Sequence, residues 1–112
     1  MRTKGTKFLT FYQNNSGGYY LIDDNVKHYV IIEGYDLWQI EAMAYSILSD
    51  YREYCSCCGR RWSSYFDDED LTEEPMIYNK SVYEYVSHWS EQAIIYYLDG
   101  TREVVDIKER VL

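Results

Sequence analysis

The densest chemistry in the sequence is the run CSCCGRRW, from Cys55 to Trp62. Cys55 and Cys58 have the C-x-x-C spacing that lets two thiolates reach one tetrahedral zinc ion. All cysteines of the chain lie in this run, so a structural zinc site would need a histidine as well, and His88 is our candidate. The alternatives are free thiols that pack as small hydrophobic side chains, and a redox pair. The position of the motif after a predicted helix, instead of at a helix start, disfavours the redox pair.

Arg60, Arg61 and Trp62 end the run and are candidate ligand-binding residues. Guanidinium groups grip phosphate or carboxylate through two parallel hydrogen bonds, and an indole ring stacks on a nucleobase. The alternative is that the arginines form salt bridges with the acidic residues that follow, and that Trp62 packs in the core. The sequence leaves both interpretations open.

A polar loop near the start of the chain, QNNSGG, separates two pairs of aromatic residues. A tight hairpin needs only about two residues, so a loop of this length has room for a further role. Glycine permits positive φ angles, and successive backbone N–H groups can then surround an anion. The loop lacks the phosphate-loop pattern, and the alternative is an ordinary long hairpin loop. The candidate ligand-binding residues are Asn14, Asn15, Ser16, Gly17 and Gly18.

An acidic segment follows the cysteine run. The chain has 19 Asp and Glu against 11 Lys and Arg, which gives a net charge of −8. This balance argues against direct nucleic-acid binding, because phosphate contacts need clustered Lys and Arg. The carboxylates could stand in for phosphates and bind a protein, or they could simply be solvated. The residues are Asp67, Asp68, Glu69, Asp70, Glu73 and Glu74.

Other function classes receive no support from the sequence. It contains neither a nucleophile elbow nor a zinc-protease helix, so we expect a protein that is not an enzyme. No apolar run approaches the ~20 residues of a membrane-spanning helix. An odd number of clustered cysteines is unlike a secreted disulfide framework, so we expect a cytosolic protein.

Hydrophobic periodicity predicts the elements that position these motifs. Strands are expected at Lys7 to Tyr12, Tyr19 to Ile22 and Val26 to Glu33, as an antiparallel meander. Asp36 is the predicted N-cap of a helix from Leu37 to about Arg52. The helix should face the core with Leu37, Ile40, Ala44, Ile47, Leu48 and Tyr51.

The second half of the chain predicts a short helix at Ser81 to Ser90, followed by a hairpin. Ala93 to Leu98 and Thr101 to Ile107 are the two strands, and Asp99-Gly100 is the turn. Hydrophobic residues make up 46% of the 112 residues, enough for one folded domain spanning 1–112. We therefore predict the α+β class. An antiparallel sheet of about five strands packs against one main helix, and a second short helix is possible.

Two motifs together resemble a family of short, largely uncharacterised proteins of tailed bacteriophages. They are QNNSGG and CxCCGxRW, with Ile31-Ile32-Glu33 at the end of a strand between them. The resemblance covers the chain as far as Trp62. It implies an accessory protein made in the cytoplasm of an infected bacterial host.

The phage context implies a counter-defence role that works by binding. In the first form, the protein sequesters a nucleotide-derived immune signalling molecule, and is a homo-oligomer with pockets at subunit interfaces. The loop N–H groups and the arginines would contact phosphates, and the aromatic residues would contact the base. In the second form, the acidic segment mimics nucleic acid and inhibits a host defence protein such as a CRISPR effector. In the third, the protein is a zinc-stabilised module that binds a host protein.

Overall fold

The computed structural model describes residues 3–14, 20–51, 54–55, 59–63 and 66–110. In chain order the elements are strands β1 (Lys7–Tyr12) and β2 (Tyr29–Gly34), helix α1 (Leu37–Leu48), and strands β3 (Tyr54–Cys55), β4 (Gly59–Arg60), β5 (Met76–Ile77), β6 (Lys80–Ser81), β7 (Val86–Ser87), β8 (Gln92–Tyr96), β9 (Arg102–Asp106) and β10 (Lys108–Glu109). Short 3-10 turns lie at Ser49–Tyr51 and Asp68–Asp70. No helix of the described residues is long and apolar enough to cross a membrane.

The centre of the fold is a four-stranded sheet in the order β1-β2-β8-β9. β1 and β2 are antiparallel, β2 and β8 are parallel, and β8 and β9 are antiparallel. The predicted antiparallel sheet of about five strands is therefore corrected to a mixed sheet of four, flanked by two-stranded pairs. The predicted strand at residues 19–22 is wrong for 20–22, which are irregular, and Tyr19 lies outside the described residues.

The central position of β2 follows from its composition. Every residue of this strand is buried. Val30 and Ile32 pack on one side of the sheet, while Tyr29 and Ile31 pack on the other. A strand that is apolar on both faces is stable only in the middle of a sheet that is covered on both sides. β2 therefore lies between β1 and β8. The predicted meander instead pairs this strand only with strands that are adjacent in sequence.

The helix covers one face of the sheet, as the sequence predicted. Asp36 caps it, because its Oδ1 accepts the N–H of Gln39 at 2.8 Å. Ile40, Ala44 and Leu48 are buried against the sheet, which confirms the core-facing stripe. The α-helix ends at Leu48 and a 3-10 turn continues it to Tyr51, a little before the predicted end.

The other face is covered by the chain around residues 75–91. Ile77 and Val82 are almost fully buried there. The helix predicted for Ser81 to Ser90 is wrong: the described residues form a turn at 82–84 and then β7, which pairs in parallel with β10. The N–H of Val82 donates to the carbonyl of Pro75 at 3.0 Å, which continues the pairing of β5 with β6 and leaves Val82 outside a helix.

The predicted C-terminal hairpin is confirmed. The N–H of Tyr97 donates to the carbonyl of Thr101 at 2.9 Å, and Gly100 has a φ of +91°. Glycine adopts this left-handed conformation without steric cost, which explains the strong turn signal of Asp99-Gly100.

Candidate functional site

The base of the QNNSGG loop is held by Gln13. The Gln13 Nε2 donates to the carbonyls of Leu21 at 3.1 Å and Lys27 at 3.0 Å. Its Oε1 accepts the N–H of Leu21 at 2.5 Å. Gln13 is buried, so one side chain joins the chain before the loop to the chain after it. Residues 15–18 lie outside the described residues, and their predicted anion-binding role stays a prediction.

The end of the cysteine run lies against the start of this loop. Asn14 donates its N–H to the carbonyl of Arg61 at 2.5 Å. The Arg61 guanidinium donates to the carbonyl of Asn14 at 3.0 Å. A bridge between Gln13 and Trp62 continues the pairing. The structure therefore brings together the described ends of the two motifs that the sequence had placed in one pocket.

Arg61 and Trp62 are buried, so their described contacts are structural. Arg61 has an exposed fraction of 0% and Trp62 of 8%. The indole Nε1 of Trp62 donates to the carbonyl of Tyr51 at 3.2 Å, and the ring packs in the core beside α1. Replacing either residue would disturb folding, so neither is a clean test of ligand binding. Arg60 lies in β4, and its ligand role stays a prediction.

The zinc hypothesis stays a prediction as well. Cys55 lies in β3 and pairs with Gly59 of β4, and Cys58 is outside the described residues. His88 is exposed between β7 and β8. Among the described residues, no three side chains of His, Cys, Asp or Glu form a group that could hold a metal ion.

The acidic segment forms an exposed and ordered turn. Asp67 and Asp70 make a capping box, in which each carboxylate accepts a backbone N–H from the other end of the turn. Glu73 forms an ion pair with Lys7. The six acidic residues named above are all exposed, so their carboxylates are accessible to a partner.

Four tyrosines form a cluster near the start of the loop, and they are not part of the sequence motifs. Tyr12, Tyr29, Tyr78 and Tyr85 make up this tyrosine cluster. The rings of Tyr12 and Tyr78 are stacked, with centroids 4.6 Å apart and planes at 25°. Tyr29 contacts Tyr12 and Tyr85 edge-on, at 5.9 and 6.0 Å. The loop begins one residue after Tyr12, so the cluster and the loop start share one end of the sheet.

Tyr78 is the exposed member of the cluster and has a strained backbone. It is 61% exposed, with a φ of 47°, and Asn79 follows at 67°. These two residues join β5 to β6 as a two-residue turn with two positive φ angles, which favours Asn and Gly and disfavours bulky residues. The N–H of Tyr78 donates to the Tyr12 hydroxyl at 3.1 Å. Strain of this kind concentrates at functional sites.

The cluster offers the exposed hydroxyl and ring of Tyr78, which the other tyrosines support from within the fold. Burial raises the pKa of Tyr12, Tyr29 and Tyr78 above the usual value near 10. Tyr29 also donates to the Glu91 carboxylate at 2.8 Å, which raises its pKa further. These phenols therefore stay protonated at physiological pH. Such a surface can stack on a planar ring and donate hydrogen bonds to its substituents.

One signal in the sequence could have pointed to this cluster. Tyrosine occurs 14 times in the chain, and Tyr78-Asn79 lies between two short strands, where Asn suits a positive φ. Tyr12 and Tyr78 are 66 residues apart, and only the fold brings them together.

A polar cavity of about 310 Å³ lies elsewhere, between the end of α1 and the β8–β9 pair. The Arg102 guanidinium lies there, 5.6 Å from the centre of the Tyr96 ring. It donates to the Asn25 Oδ1 at 3.1 Å and to the Asp24 carbonyl at 3.3 Å. The Arg102 guanidinium therefore already has hydrogen-bond partners within the protein. For this reason we regard the tyrosine cluster as the better candidate site. The lining residues are Asn25, Ser46, Ile47, Asp50, Tyr51, Tyr96 and Arg102.

Comparison with known proteins gives one family. No curated protein and no solved structure matches the chain. A family model described as a domain of unknown function, DUF7296, matches residues 6–112. This match includes every strand from β1 to β10 and the whole tyrosine cluster. The chain therefore belongs to the DUF7296 family.

Proposed function

We propose that this protein captures a small nucleotide-derived molecule at the tyrosine cluster and the adjoining polar loop. The observation that carries the proposal is the exposed ring of Tyr78, fixed against Tyr12 in a strained turn. A base that stacks on an aromatic side chain gains about 1–3 kcal/mol. An already ordered ring loses little conformational entropy on binding, which favours affinity.

The chemistry of the surroundings supports this class of ligand. The exposed phenol of Tyr78 is a neutral donor, and Asn14 is exposed at the start of the loop. Amide and hydroxyl groups can bond base edges, ribose and phosphate oxygens, although the net charge of the chain is −8. The role assigned here to Arg61 is to hold the loop at its base, through the Asn14 carbonyl.

The resemblance to short proteins of tailed bacteriophages supports a biological context. In that context the protein would be made in the cytoplasm of an infected bacterium. It would act against host defence by sequestering a nucleotide-derived immune signal, with no chemical change to the captured molecule.

The proposal is tested by isothermal titration calorimetry. The probes are a cyclic dinucleotide of each base, a cyclic oligoadenylate and ADP-ribose. Tyr78→Ala should weaken binding of the recognised probe by about 10-fold or more, because it removes the stacking ring. Tyr78→Phe should keep the affinity within about 3-fold, because it keeps the ring.

Tyr35→Ala is the matched control. Tyr35 is 56% exposed and follows the opposite end of β2 from Tyr29, so its replacement should leave binding unchanged. Equal losses from Tyr78→Ala and Tyr35→Ala would contradict the assigned site. A wild-type protein that binds none of the probes, and carries no ligand of nucleotide mass in native mass spectra, would contradict the function.

The exposed acidic turn supports a second candidate, inhibition of a nucleic-acid-binding defence protein. Asp67, Asp70 and Glu73 hold the local structure. The informative variant therefore changes Asp68→Asn, Glu69→Gln and Glu74→Gln and keeps those contacts. It should relieve inhibition of a CRISPR effector in a DNA-cleavage assay, and unchanged inhibition would exclude this surface.

A further inference from the structure

The two edges of the central sheet differ in whether other segments of the chain hydrogen-bond to them. At the β1 edge, Phe8 and Thr72 exchange backbone hydrogen bonds of 2.8 and 2.9 Å, and Ser63 donates its N–H to the Tyr12 carbonyl at 3.0 Å. The following chain thus covers this edge. At the other edge lies β9, which among the described residues pairs in the sheet with β8 alone. An uncovered edge strand is a template for pairing with another chain.

The phase of the β8–β9 pairing identifies the outward-facing backbone groups. Tyr97 donates to the Thr101 carbonyl, and Ile107 donates to the Glu91 carbonyl. In an antiparallel pair, alternate residues bond to the neighbouring strand. The intervening residues Arg102, Val104 and Asp106 therefore direct their N–H and C=O groups away from β8. Within the part of the chain that the structure describes, nothing hydrogen-bonds to these outward backbone groups.

The side chains of these residues also share one face of the sheet. Since successive residues of a strand alternate between faces, Arg102, Val104 and Asp106 all lie on the same side. All three are exposed, and Val104 is 50% exposed. Along the strand the order is cation, apolar residue, anion. In an antiparallel second copy the order is reversed, so each cation would face an anion and the two apolar residues would face each other.

We propose that β9 pairs with β9 of a second copy of this chain, antiparallel about a two-fold axis at Val104. In this register Val104 lies opposite the partner's Val104, and Arg102 lies opposite the partner's Asp106. The three outward-facing positions of each copy would exchange about six backbone hydrogen bonds. Both charge pairs would be attractive, in addition to the hydrogen bonds within each chain that Arg102 donates to Asn25 and that Asp106 accepts from Gln92 at 2.7 Å. The exposed valines would cover each other. The two four-stranded sheets would become one continuous sheet.

The tyrosine cluster lies outside this interface. Tyr12 belongs to β1, at the opposite edge of the sheet from β9. The dimer therefore carries two separate tyrosine clusters and does not depend on the proposed ligand.

The experiment uses charge reversal in the full chain, with the dissociation constant measured by analytical ultracentrifugation. Arg102→Asp places two carboxylates opposite each other, and Asp106→Arg places two guanidiniums opposite each other. Each single variant should raise the dissociation constant of the dimer by about 10-fold or more. An equimolar mixture of the two variants should form a heterodimer with the wild-type affinity, because every opposed pair is again attractive. The double variant Arg102→Asp/Asp106→Arg should dimerise alone for the same reason.

Lys108→Asp is the matched control, because it changes the net charge as Arg102→Asp does but lies on β10, outside the proposed pairing. It should leave the dissociation constant unchanged. Circular dichroism checks folding of each variant, since Arg102 also contacts Asn25. A wild-type protein that is monomeric at about 100 µM overturns the proposal. A dimer that neither single variant weakens, or a mixture that fails to restore dimerisation, also overturns it.

Discussion

Buried polar residues determine how the loops and termini of this protein attach to its sheet. Glu33 has an exposed fraction of 0%, although it is a charged residue next to the end of a strand that is otherwise apolar. Its carboxylate accepts the N–H groups of Thr3 and Leu98, each at 2.8 Å, and the hydroxyl of Thr6. One acidic side chain thus joins the N-terminal segment to the C-terminal hairpin. The sequence shows only a polar residue at the end of an apolar run.

Glu33→Gln should lower the free energy of unfolding by about 1–3 kcal/mol. The amide has the same shape, but its NH₂ group would face donors and could accept none of their hydrogen bonds. Urea denaturation measures the change. Glu41→Gln is the control, because Glu41 is exposed on α1. Equal stability of the two variants would contradict a structural role for the Glu33 carboxylate.

His28 should make stability depend on pH near neutrality. Its Nδ1 accepts the N–H of Gln92 at 3.2 Å, and burial lowers the pKa of His28 below its usual value. The unfolded chain therefore binds this proton more readily than the folded protein. The stability that neutral His28 contributes is present above the unfolded pKa of about 6.5 and is lost as the pH falls below it.

His28→Asn should reduce the fall in Tm between about pH 7.5 and pH 5.5, because asparagine offers an acceptor that does not titrate in this range. Thermal melts across the range measure the effect. His88→Asn is the control, because it removes the other histidine, which is exposed. An unchanged slope for His28→Asn would contradict the assignment.

Among the elements, those with local causes were predictable. The structure confirms Asp36 as the N-cap of α1 and the core-facing stripe of that helix. It also confirms the hairpin turn at Asp99-Gly100. The partners of β2 were not predictable, because the pairing with β8 joins distant residues such as Tyr29 and Ala93. Val82, Tyr85 and Val86 fit a helical spacing, but burial of Val82 against the sheet fixes a turn instead.

The same distinction applies to the candidate site. The sequence indicated two motifs, and the structure places Asn14 against Arg61. Core packing of Trp62 is one of the two interpretations that the sequence leaves open, and Trp62 is buried. The sequence did not indicate the burial of Arg61, because exposure depends on the neighbours that the fold supplies. The tyrosine cluster combines residues from β1, β2 and the second half of the chain, so no local pattern contains it.

Gly34 links β2 to α1, and Gly34→Ala should lower the free energy of unfolding by about 1–3 kcal/mol. An added Cβ would lie 2.6 Å from the Ile40 Cγ1 and 3.1 Å from the Gln39 Oε1. Ile40 is fully buried and cannot move without disturbing the core. Urea denaturation measures the cost.

A double-mutant cycle with Ile40→Ala tests the cause, because alanine lacks the Cγ1 atom that the new methyl group would contact. Ile40→Ala alone should cost about 2–5 kcal/mol. If the close contact is responsible, the double variant should cost less than the sum of the two single variants, because removal of Cγ1 makes room for the new methyl group. If the costs of the two single variants simply add in the double variant, the contact between residues 34 and 40 is not the cause of the lost stability.

At the scale of the whole molecule, the net charge of −8 opposes folding through self-repulsion. Raising NaCl from about 20 to 500 mM should therefore raise the Tm by a few degrees, because salt screens the repulsion. A variant with Asp68→Asn and Glu69→Gln should start from a higher Tm at low salt and gain less on addition of salt. Differential scanning calorimetry measures both. A Tm that falls with salt would show that attractive ion pairs dominate.

The parallel pairing of β2 with β8 also has a consequence for synthesis of the chain. β2 ends at Gly34 and its partner β8 ends at Tyr96. At about 5–20 residues per second, a ribosome needs about 3–12 s to add the intervening residues. During that interval the apolar run Tyr29–Gly34 lacks one of its two neighbours, and nascent chains close together on one message could pair through it. Slow translation between the two strands would lengthen this exposure, so soluble yield should depend on codon choice in that part of the gene.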